Sequence, residues 1–270
     1  MIRLSPVFVV GFALFFASCL TTGPSDSSAS VSAGNAAASP IKVQYDAGYF
    51  VTQPSGGTLV IIGISNPMTS RDAEITSAKE DAARKIALFH GLRGRVDTVN
   101  AIGANILEYY ADTTFTLSHD TDYAKYIGGL NFDPEKDVVR VSGAVLVRFT
   151  YSGASLAGNP SYQSKASVGG KPWWVKDQPT EIGDFMAGVG FARPHSRFKN
   201  TVIKSYENAA ALIISQVSTR TDTVDSDRNG STGSSVTQVS EAALVNFYVL
   251  ETWVDRSNNQ VWTLVIAKPK

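Results

Sequence analysis

The chain has 270 residues, of which 43% are hydrophobic, which is enough for the core of one large domain or two small ones and excludes disorder throughout. Lys plus Arg and Asp plus Glu number 24 each, so the formal charge is zero, and neither a basic surplus for nucleic acid nor an acidic solvating tail is present. Because the chain has one cysteine, disulfides and cysteine-based metal sites are excluded from the mature fold.

The N-terminus has the three parts of a signal peptide. A short start that carries Arg3 precedes an apolar run of about ten residues from Val7 to Phe16, and the small residues Ala17 and Ser18 follow. A membrane-spanning helix needs about 20 apolar residues. The segment is therefore predicted to be removed rather than retained as a span.

Cys19 directly follows these small residues. The sequence "FASC" resembles the bacterial lipobox, in which the cysteine thiol is acylated and the chain is cut just before it. Phe16 departs from that pattern, because a smaller aliphatic residue, usually Leu, is expected there. The resemblance implies that residues 1–19 are a signal segment and that its last residue, Cys19, is the site where a lipid such as palmitate is attached. The alternative is an ordinary signal peptide that happens to contain a cysteine.

Two stretches of small and polar residues divide the remaining chain. Residues 20–41 cannot bury enough apolar surface to fold, and they are predicted to form a flexible tether. Residues 152–171 have a similar composition and are predicted to form a linker. The linker separates a first repeat, residues 42–151, from a second repeat, residues 172–270.

The two halves share an ordered set of residues at a constant offset of 127 positions. The segment "IIGISNPMTS" aligns with "GVGFARPHSR", which places Gly63 on Gly190, and "EDAARKI" aligns with "ENAAALI". A set of matches that stays in register through a turn and a helix indicates an internal duplication.

Each repeat contains a strand, a long helix and further strands. Apolar residues spaced three and four apart predict one helix around residues 75–89 and another around 202–217. Thr69 and Asp72 fit a capping box. Residues 138–151 alternate as a single half-buried strand, and "DRSNN" between two apolar runs predicts a hairpin. The predicted fold class is therefore α+β: two tandem modules, each a long helix packed on a small antiparallel sheet.

The second half carries a recognisable combination of motifs. "PWWV", "AGVG", the alanine-rich helix and "VLETWVD…VWTLV" resemble the Lpp-twenty-like family, the twenty-kilodalton membrane-associated lipoproteins, in two tandem copies. The first half departs from the family pattern between residues 96 and 137. The resemblance implies a structural or interaction role and brings no catalytic residues. The matching positions are Pro172, Trp174, Val175, Gly188, Gly190, Ala209, Ala210, Glu251, Trp253, Asp255 and Trp262.

Metal binding has little support in the sequence. "DSDRNG" matches the first half of a calcium loop, but Val236 stands where the acidic closing ligand belongs, so a plain loop is expected. His90, His119 and His195 are far apart, and no zinc site is expected. No cofactor is predicted.

The four tryptophans all lie in the second half. Their pattern indicates hydrophobic anchors between strands and helix. The alternative is an aromatic platform that binds a glycan or peptide, with Trp173 and Trp174 as its candidate residues. If the segment is extended, adjacent side chains point opposite ways and one is exposed.

Together these features predict a lipid-anchored protein of the bacterial envelope, at the outer membrane and facing the periplasm or the surface. It is expected to act as a structural or protein-interaction module, without catalysis. The alternative is a glycan- or peptide-binding lipoprotein that uses a groove between the repeats, and an enzyme is the third possibility. The expected partners are the membrane, through the N-terminal lipid, and envelope proteins, but not nucleic acid.

Overall fold

The computed structural model describes residues 49–52, 58–102, 109–141, 143–158, 160, 162, 170–194, 197–222 and 235–270. Cys19, the predicted tether, His195 and the calcium-like loop lie outside these residues. The described residues form eleven strands and four helices. In chain order these are β1 Tyr49–Val51, β2 Leu59–Ser65, α1 Arg71–His90, β3 Leu92–Ile102, β4 Tyr109–His119, α2 Ala124–Ile127, β5 Leu130–Asn131, β6 Val138–Val141, β7 Ala144–Tyr151, α3 Trp173–Asp177, β8 Glu181–Ile182, β9 Phe185–Ala192, α4 Phe198–Asp222, β10 Ser235–Asp255 and β11 Gln260–Pro269.

The strands form two antiparallel sheets. The larger sheet has the order β4-β3-β10-β11-β9-β8, with β1 also paired to β10, and the smaller has the order β2-β7-β5, with β6 also paired to β7. Helix α4 packs on β9, β11, β10 and β3, whereas α1 packs on β2, β7 and β10. Each helix therefore covers a sheet surface with its apolar side and contributes to a buried core.

The strand and helix of the two halves correspond in the structure. Helix α1 begins at Arg71 and α4 at Phe198, a difference of 198 − 71 = 127 residues. A Cβ atom at Gly63 would overlap the carbonyl of Ala78, and one at Gly190 would overlap the carbonyl of Ser205, which is 127 positions later. In both halves a glycine lets the helix backbone lie directly against the strand, so the offset matches have a packing cause.

The prediction of two tandem helix-on-sheet modules is wrong. The described residues contain more strand than helix, and the larger sheet combines strands from both halves. Strand β10 is 21 residues long, and β11 pairs only with its second part, from Leu244 to Asp255. Its first part, Ser235 to Leu244, pairs instead with β3 of the first half. The main-chain groups of such a long strand need partners, and the β3–β4 hairpin supplies them from the divergent 96–137 segment.

Two local predictions also differ from the structure. The segment predicted as one strand is a hairpin of β6 and β7, because Gly143 adopts a φ of 79° and turns the chain between them. The cap of α1 is Ser70, whose hydroxyl accepts a hydrogen bond from Ala73 N at 3.2 Å, rather than Thr69. The predicted hairpin around "DRSNN" is confirmed, since β10 and β11 pair up to Asp255 and Gln260.

No helix within the described ranges has both the length and the apolar character needed to cross a membrane. The segment predicted as a linker contacts the folded body where it is described. Ala154, Leu156 and Tyr162 pack against the buried cluster, and Lys268 Nζ donates to Ala157 O at 2.8 Å.

Candidate functional site

An open groove of about 1020 Å³ runs along one flank of α4 and is called the α4 groove below. The end of β9 and the residues after it, 189–194, form part of its lining together with Gln178 and Trp262. The β3–β4 hairpin of the first half contributes Val96 and Phe115. The flank of α4 itself contributes Lys204, Asn208, Ala211, Leu212 and Ser215.

The packing of α4 on β9 places these residues. A Cβ at Gly188 would overlap the carbonyl of Ala209, and one at Gly190 would overlap the amide of the same residue. The face of the helix that carries Ala209 therefore lies directly against the strand. The flank that carries Asn208 and Leu212 lies beside the end of the strand.

The groove presents apolar side chains to solvent. Four large hydrophobic residues within the described ranges are exposed, and two of them, Phe191 and Leu212, line the groove with 45% exposure each. The ring of Phe191 stacks on Trp262, with centroids 4.8 Å apart and planes 30° apart. Exposed apolar surface gathered in a concave site is typical of a place where another molecule binds.

The charge of the lining is positive. Arg193 and Lys204 are both exposed, and the described residues of the lining include no Asp or Glu. Within the described part of the chain, no ion pair joins either side chain to a carboxylate. The groove therefore combines apolar contacts with two cations that are available to an anionic partner.

The outer edge of β9 is only partly paired. Strand β8 pairs with Phe185 and Met186 alone, while β11 pairs with the opposite edge of β9 up to Ala192. Beyond β8, Ala187 N donates to Thr180 O at 2.8 Å, and Phe191 O accepts from Asn208 Nδ2 at 2.8 Å.

Main-chain groups of alternate residues point to the same strand edge, so those of Val189 face the same side as those of Ala187 and Phe191. Among the described residues, no strand lies beside Val189 on that side. Val189 is nevertheless buried, with 5% of its surface exposed, so this edge is covered by other parts of the protein.

The two tryptophans proposed from the sequence do not line this groove. They lie in the short helix α3, where Trp174 is fully buried and Trp173 is partly buried. Trp174 Nε1 donates to Glu251 Oε2 at 2.5 Å. Trp174 is therefore an anchor of α3 on the larger sheet, and the aromatic pair that lines the α4 groove is Phe191 and Trp262.

Glu251 is a buried carboxyl on β10, with 1% of its surface exposed. Its Oε1 forms a short hydrogen bond with Tyr162 Oη, while its Oε2 accepts from Trp174. Burial raises the pKa of the Glu251 carboxyl from 4.5 to about 9, so the group is protonated at neutral pH. It holds Tyr162 and Trp174 on the sheet as a neutral hydrogen-bonding group.

A second buried polar cluster closes the free edge of β2. Tyr248 Oη donates to Val60 O at 2.5 Å, Lys85 Nζ donates to Ile62 O at 2.7 Å, and Ile64 N donates to Asp81 Oδ2 at 2.9 Å. The Asp81 carboxylate and Lys85 also form an ion pair at 2.7 Å. These side chains satisfy edge groups that β7 cannot reach, so the cluster is structural.

The described histidines do not form a metal site. His119 Nε2 lies 2.8 Å from Tyr123 Oη, and His90 stacks on Tyr126 with ring centroids 5.5 Å apart. Burial lowers the pKa of His119 and of His90. Within the described ranges, no group of three His, Cys, Asp or Glu residues is placed to hold a metal ion.

Sequence reasoning missed the groove because its residues come from six separated parts of the chain. The repeat alignment did mark "GVGFARP", which supplies residues 189–194 of the lining. The signal that could have been used is Phe191, an aromatic residue among the glycines and small residues of β9.

No protein-family model, no curated protein and no solved structure matches this chain. The resemblance to the Lpp-twenty-like lipoproteins therefore stays a prediction from the sequence.

Proposed function

We propose that this chain is a lipid-anchored protein of the bacterial envelope that acts through protein contacts and not through catalysis. Its N-terminal segment resembles that of a lipoprotein ending at Cys19, and the small, polar residues 20–41 suit a tether between lipid and folded body. The proposed location is the outer membrane, with the body facing the periplasm or the surface.

The observation that carries this proposal is the α4 groove. It combines the stacked pair Phe191 and Trp262, the exposed Leu212 and the cations Arg193 and Lys204 on one open surface. Aromatic residues and Arg are enriched where proteins bind one another. A body held at a membrane by its N-terminus can present such a surface to a neighbouring envelope protein.

Anchoring is tested by detergent phase partition of the full-length protein expressed in bacteria. The unmodified protein is expected in the detergent phase and Cys19→Ala in the aqueous phase, because several acyl chains at about 0.8 kcal/mol per CH₂ hold a lipoprotein in lipid. Equal partition of the two proteins would contradict the anchor. Cross-linking in intact cells then tests the contacts, with recovery of only the monomer counting against a protein-interaction role.

A second candidate function is the binding of a glycan or a peptide in a groove between the two halves. One observation favours it, because the α4 groove receives Val96 and Phe115 from the first half and the other lining residues from the second. Titration with peptidoglycan fragments, followed by the fluorescence of Trp262, tests the glycan form. No change in fluorescence at millimolar concentrations of fragment would exclude glycan binding.

A further inference from the structure

We infer that His119 is a latch operated by a proton: the neutral ring ties the end of β4 to the start of α2, and protonation of the ring releases that end. The inference concerns a pH-sensitive part of the fold and does not depend on the proposed protein-contact function. Three observations carry it: the contacts of the ring with Tyr123, the lack of an acceptor for a second proton, and the charges around the ring.

The ring of His119 closes the turn between β4 and α2. It stacks on Tyr123 with ring centroids 6.0 Å apart and planes 15° apart, and its Nε2 lies 2.8 Å from Tyr123 Oη. Tyr123 directly precedes α2, which packs on α1, and its side chain packs against a buried hydrophobic cluster. These two contacts therefore tie the last residue of β4 to the body of the protein.

The ring has a place for one proton and not for two. In the neutral ring, Nε2 can carry the single N–H and donate it to Tyr123 Oη. Nδ1 is buried, and among the described residues it has no hydrogen-bond partner. Protonation makes both ring nitrogens donors, so it creates a buried N–H without an acceptor, which destabilises the latched arrangement.

The cations near the ring come from three parts of the fold. The charge of Arg84, on α1, acts on the ring. Arg93, on β3, and Lys270, after β11, line an open cavity of about 350 Å³ together with His119. A positive charge on the ring is therefore disfavoured by its surroundings.

The carboxylates near the ring are already engaged. Asp120 is the next residue in the chain, but its carboxylate forms an ion pair with Lys125. Glu207, on α4, forms an ion pair with Arg84 at 2.6 Å. Burial and the charge of Arg84 lower the pKa of His119, while Asp120 acts in the opposite direction. The neutral ring is therefore the form that the fold retains at neutral pH.

The cavity beside the ring gives the protonated form a place to go. Its lining includes the exposed residues Arg93, Ser118 and Lys270, so a ring that turns into it regains contact with water. The same strand carries Phe115, which lies four residues before His119 and lines the α4 groove. Release of the latch therefore frees the strand end that continues from this wall of the groove.

The pH response of the latch has a defined sign. In the released form the pKa of His119 returns towards its ordinary value of 6.5, whereas in the latched form it lies lower. The latch is therefore most stable above pH 6.5, and its stability is lost as the pH falls from 6.5 towards the lowered pKa. Each unit by which the latched pKa lies below 6.5 raises the ratio of released to latched protein about tenfold.

Two measurements on the full-length lipoprotein in neutral detergent micelles test the latch. The first is an NMR titration of ¹³C-labelled histidine Cε1 from pH 8 to pH 5, in which His119→Gln identifies the resonance of His119 by its loss. We expect a pKa below 6.5. The second is hydrogen exchange followed by mass spectrometry over the same range, corrected for the intrinsic effect of pH on exchange. We expect residues 115–119 to lose about tenfold in protection for each unit of pKa shift that NMR measures.

Matched variants separate the latch from other titrating groups. His119→Gln keeps an amide that can donate to Tyr123 Oη but does not titrate, so its protection over β4 should not change with pH. His90→Gln removes a histidine outside the latch and should lose protection as the unmodified protein does. Arg84→Gln should raise the pKa of His119, a shift that a purely structural role of the ring would not produce. An unchanged melting temperature at pH 8 shows that a variant is folded.

Several results would overturn the inference. They are a pKa of His119 at or above 6.5, a loss of protection in His119→Gln equal to that in the unmodified protein, and protection that stays constant down to pH values below the measured pKa. An equal loss of protection in residues 261–267 of β11 would also overturn it, because it would show that the whole fold opens rather than the end of β4. These outcomes do not depend on whether Arg84→Gln folds.

Discussion

The buried carboxyl of Glu251 makes the stability of the fold depend on pH in a direction opposite to that of an ordinary paired carboxylate. Its pKa is about 9 in the folded protein and 4.5 in the reference state. The folded protein therefore holds this proton more tightly than the unfolded chain does. The resulting contribution to stability is greatest below pH 4.5, falls as the pH rises and levels off above pH 9.

The size of the effect follows from the two pKa values. Each unit of difference corresponds to about 1.4 kcal/mol, so the full loss approaches about 6 kcal/mol, of which about 2.5 kcal/mol falls between pH 5 and 7. Glu251→Gln removes the titration. It keeps an oxygen that accepts from Trp174 Nε1 and gains an amide that can donate to Tyr162 Oη.

The assay is urea unfolding followed by tryptophan fluorescence at unit steps from pH 5 to pH 9. Relative to Glu251→Gln, the unmodified protein should lose about 2.5 kcal/mol between pH 5 and 7, or about 1 M in urea midpoint for a protein of this size. Glu80→Gln, at an exposed position of α1, is the matched control and should follow the unmodified protein. Parallel curves for the unmodified protein and Glu251→Gln would refute the assignment of a neutral, buried Glu251.

Three other substitutions test the packing described above. Ala209→Leu should lower the free energy of unfolding by about 1–3 kcal/mol or more, because α4 lies directly on β9 there. Thermal melting is the measurement, and the exposed Leu212→Ala is the control. An equal loss in both variants would show that the loss is not specific to the contact. Tyr248→Phe should cost about 1–3 kcal/mol in urea unfolding, since it leaves the buried Val60 carbonyl without its donor, and an unchanged midpoint would show that another group satisfies it. Gly143→Ala should cost about 1–2 kcal/mol through its φ of 79° alone, because a Cβ there meets no atom within 4 Å, and a melting temperature equal to that of the unmodified protein would show that the turn can relax.

Local structure was the part of this fold most accessible to sequence reasoning. The spacing of apolar residues predicted helices where α1 and α4 occur, and the match of Gly63 with Gly190 aligned the two strands that lie beneath them. Those signals work because they depend on contacts between neighbouring segments. They carry no information about which strands share a sheet.

The sheet partners were not predictable because they are set by contacts far apart in the chain. Nothing in residues 235–244 indicates that they pair with β3 rather than with β11, since apolar alternation is the same for either partner. The α4 groove was hidden for the same reason, because Phe115 and Phe191 meet in its lining only after β3 joins β10. The exposure of Trp173 and Trp174 could not be predicted either, because a short helix and an extended segment direct adjacent side chains differently.

The sharing of β10 between the halves has a consequence for how the chain is made. Leu92 pairs with Leu244, so the inner edge of β3 receives its partner only after 244 − 92 = 152 further residues have been added. At about 5–20 residues per second, that edge waits about 8–30 s during synthesis. An unpaired strand edge can pair with strands of other chains, so the nascent chain is exposed to aggregation over that interval. A fragment that begins at residue 172 lacks β3 and therefore leaves residues 235–244 of β10 without that partner strand.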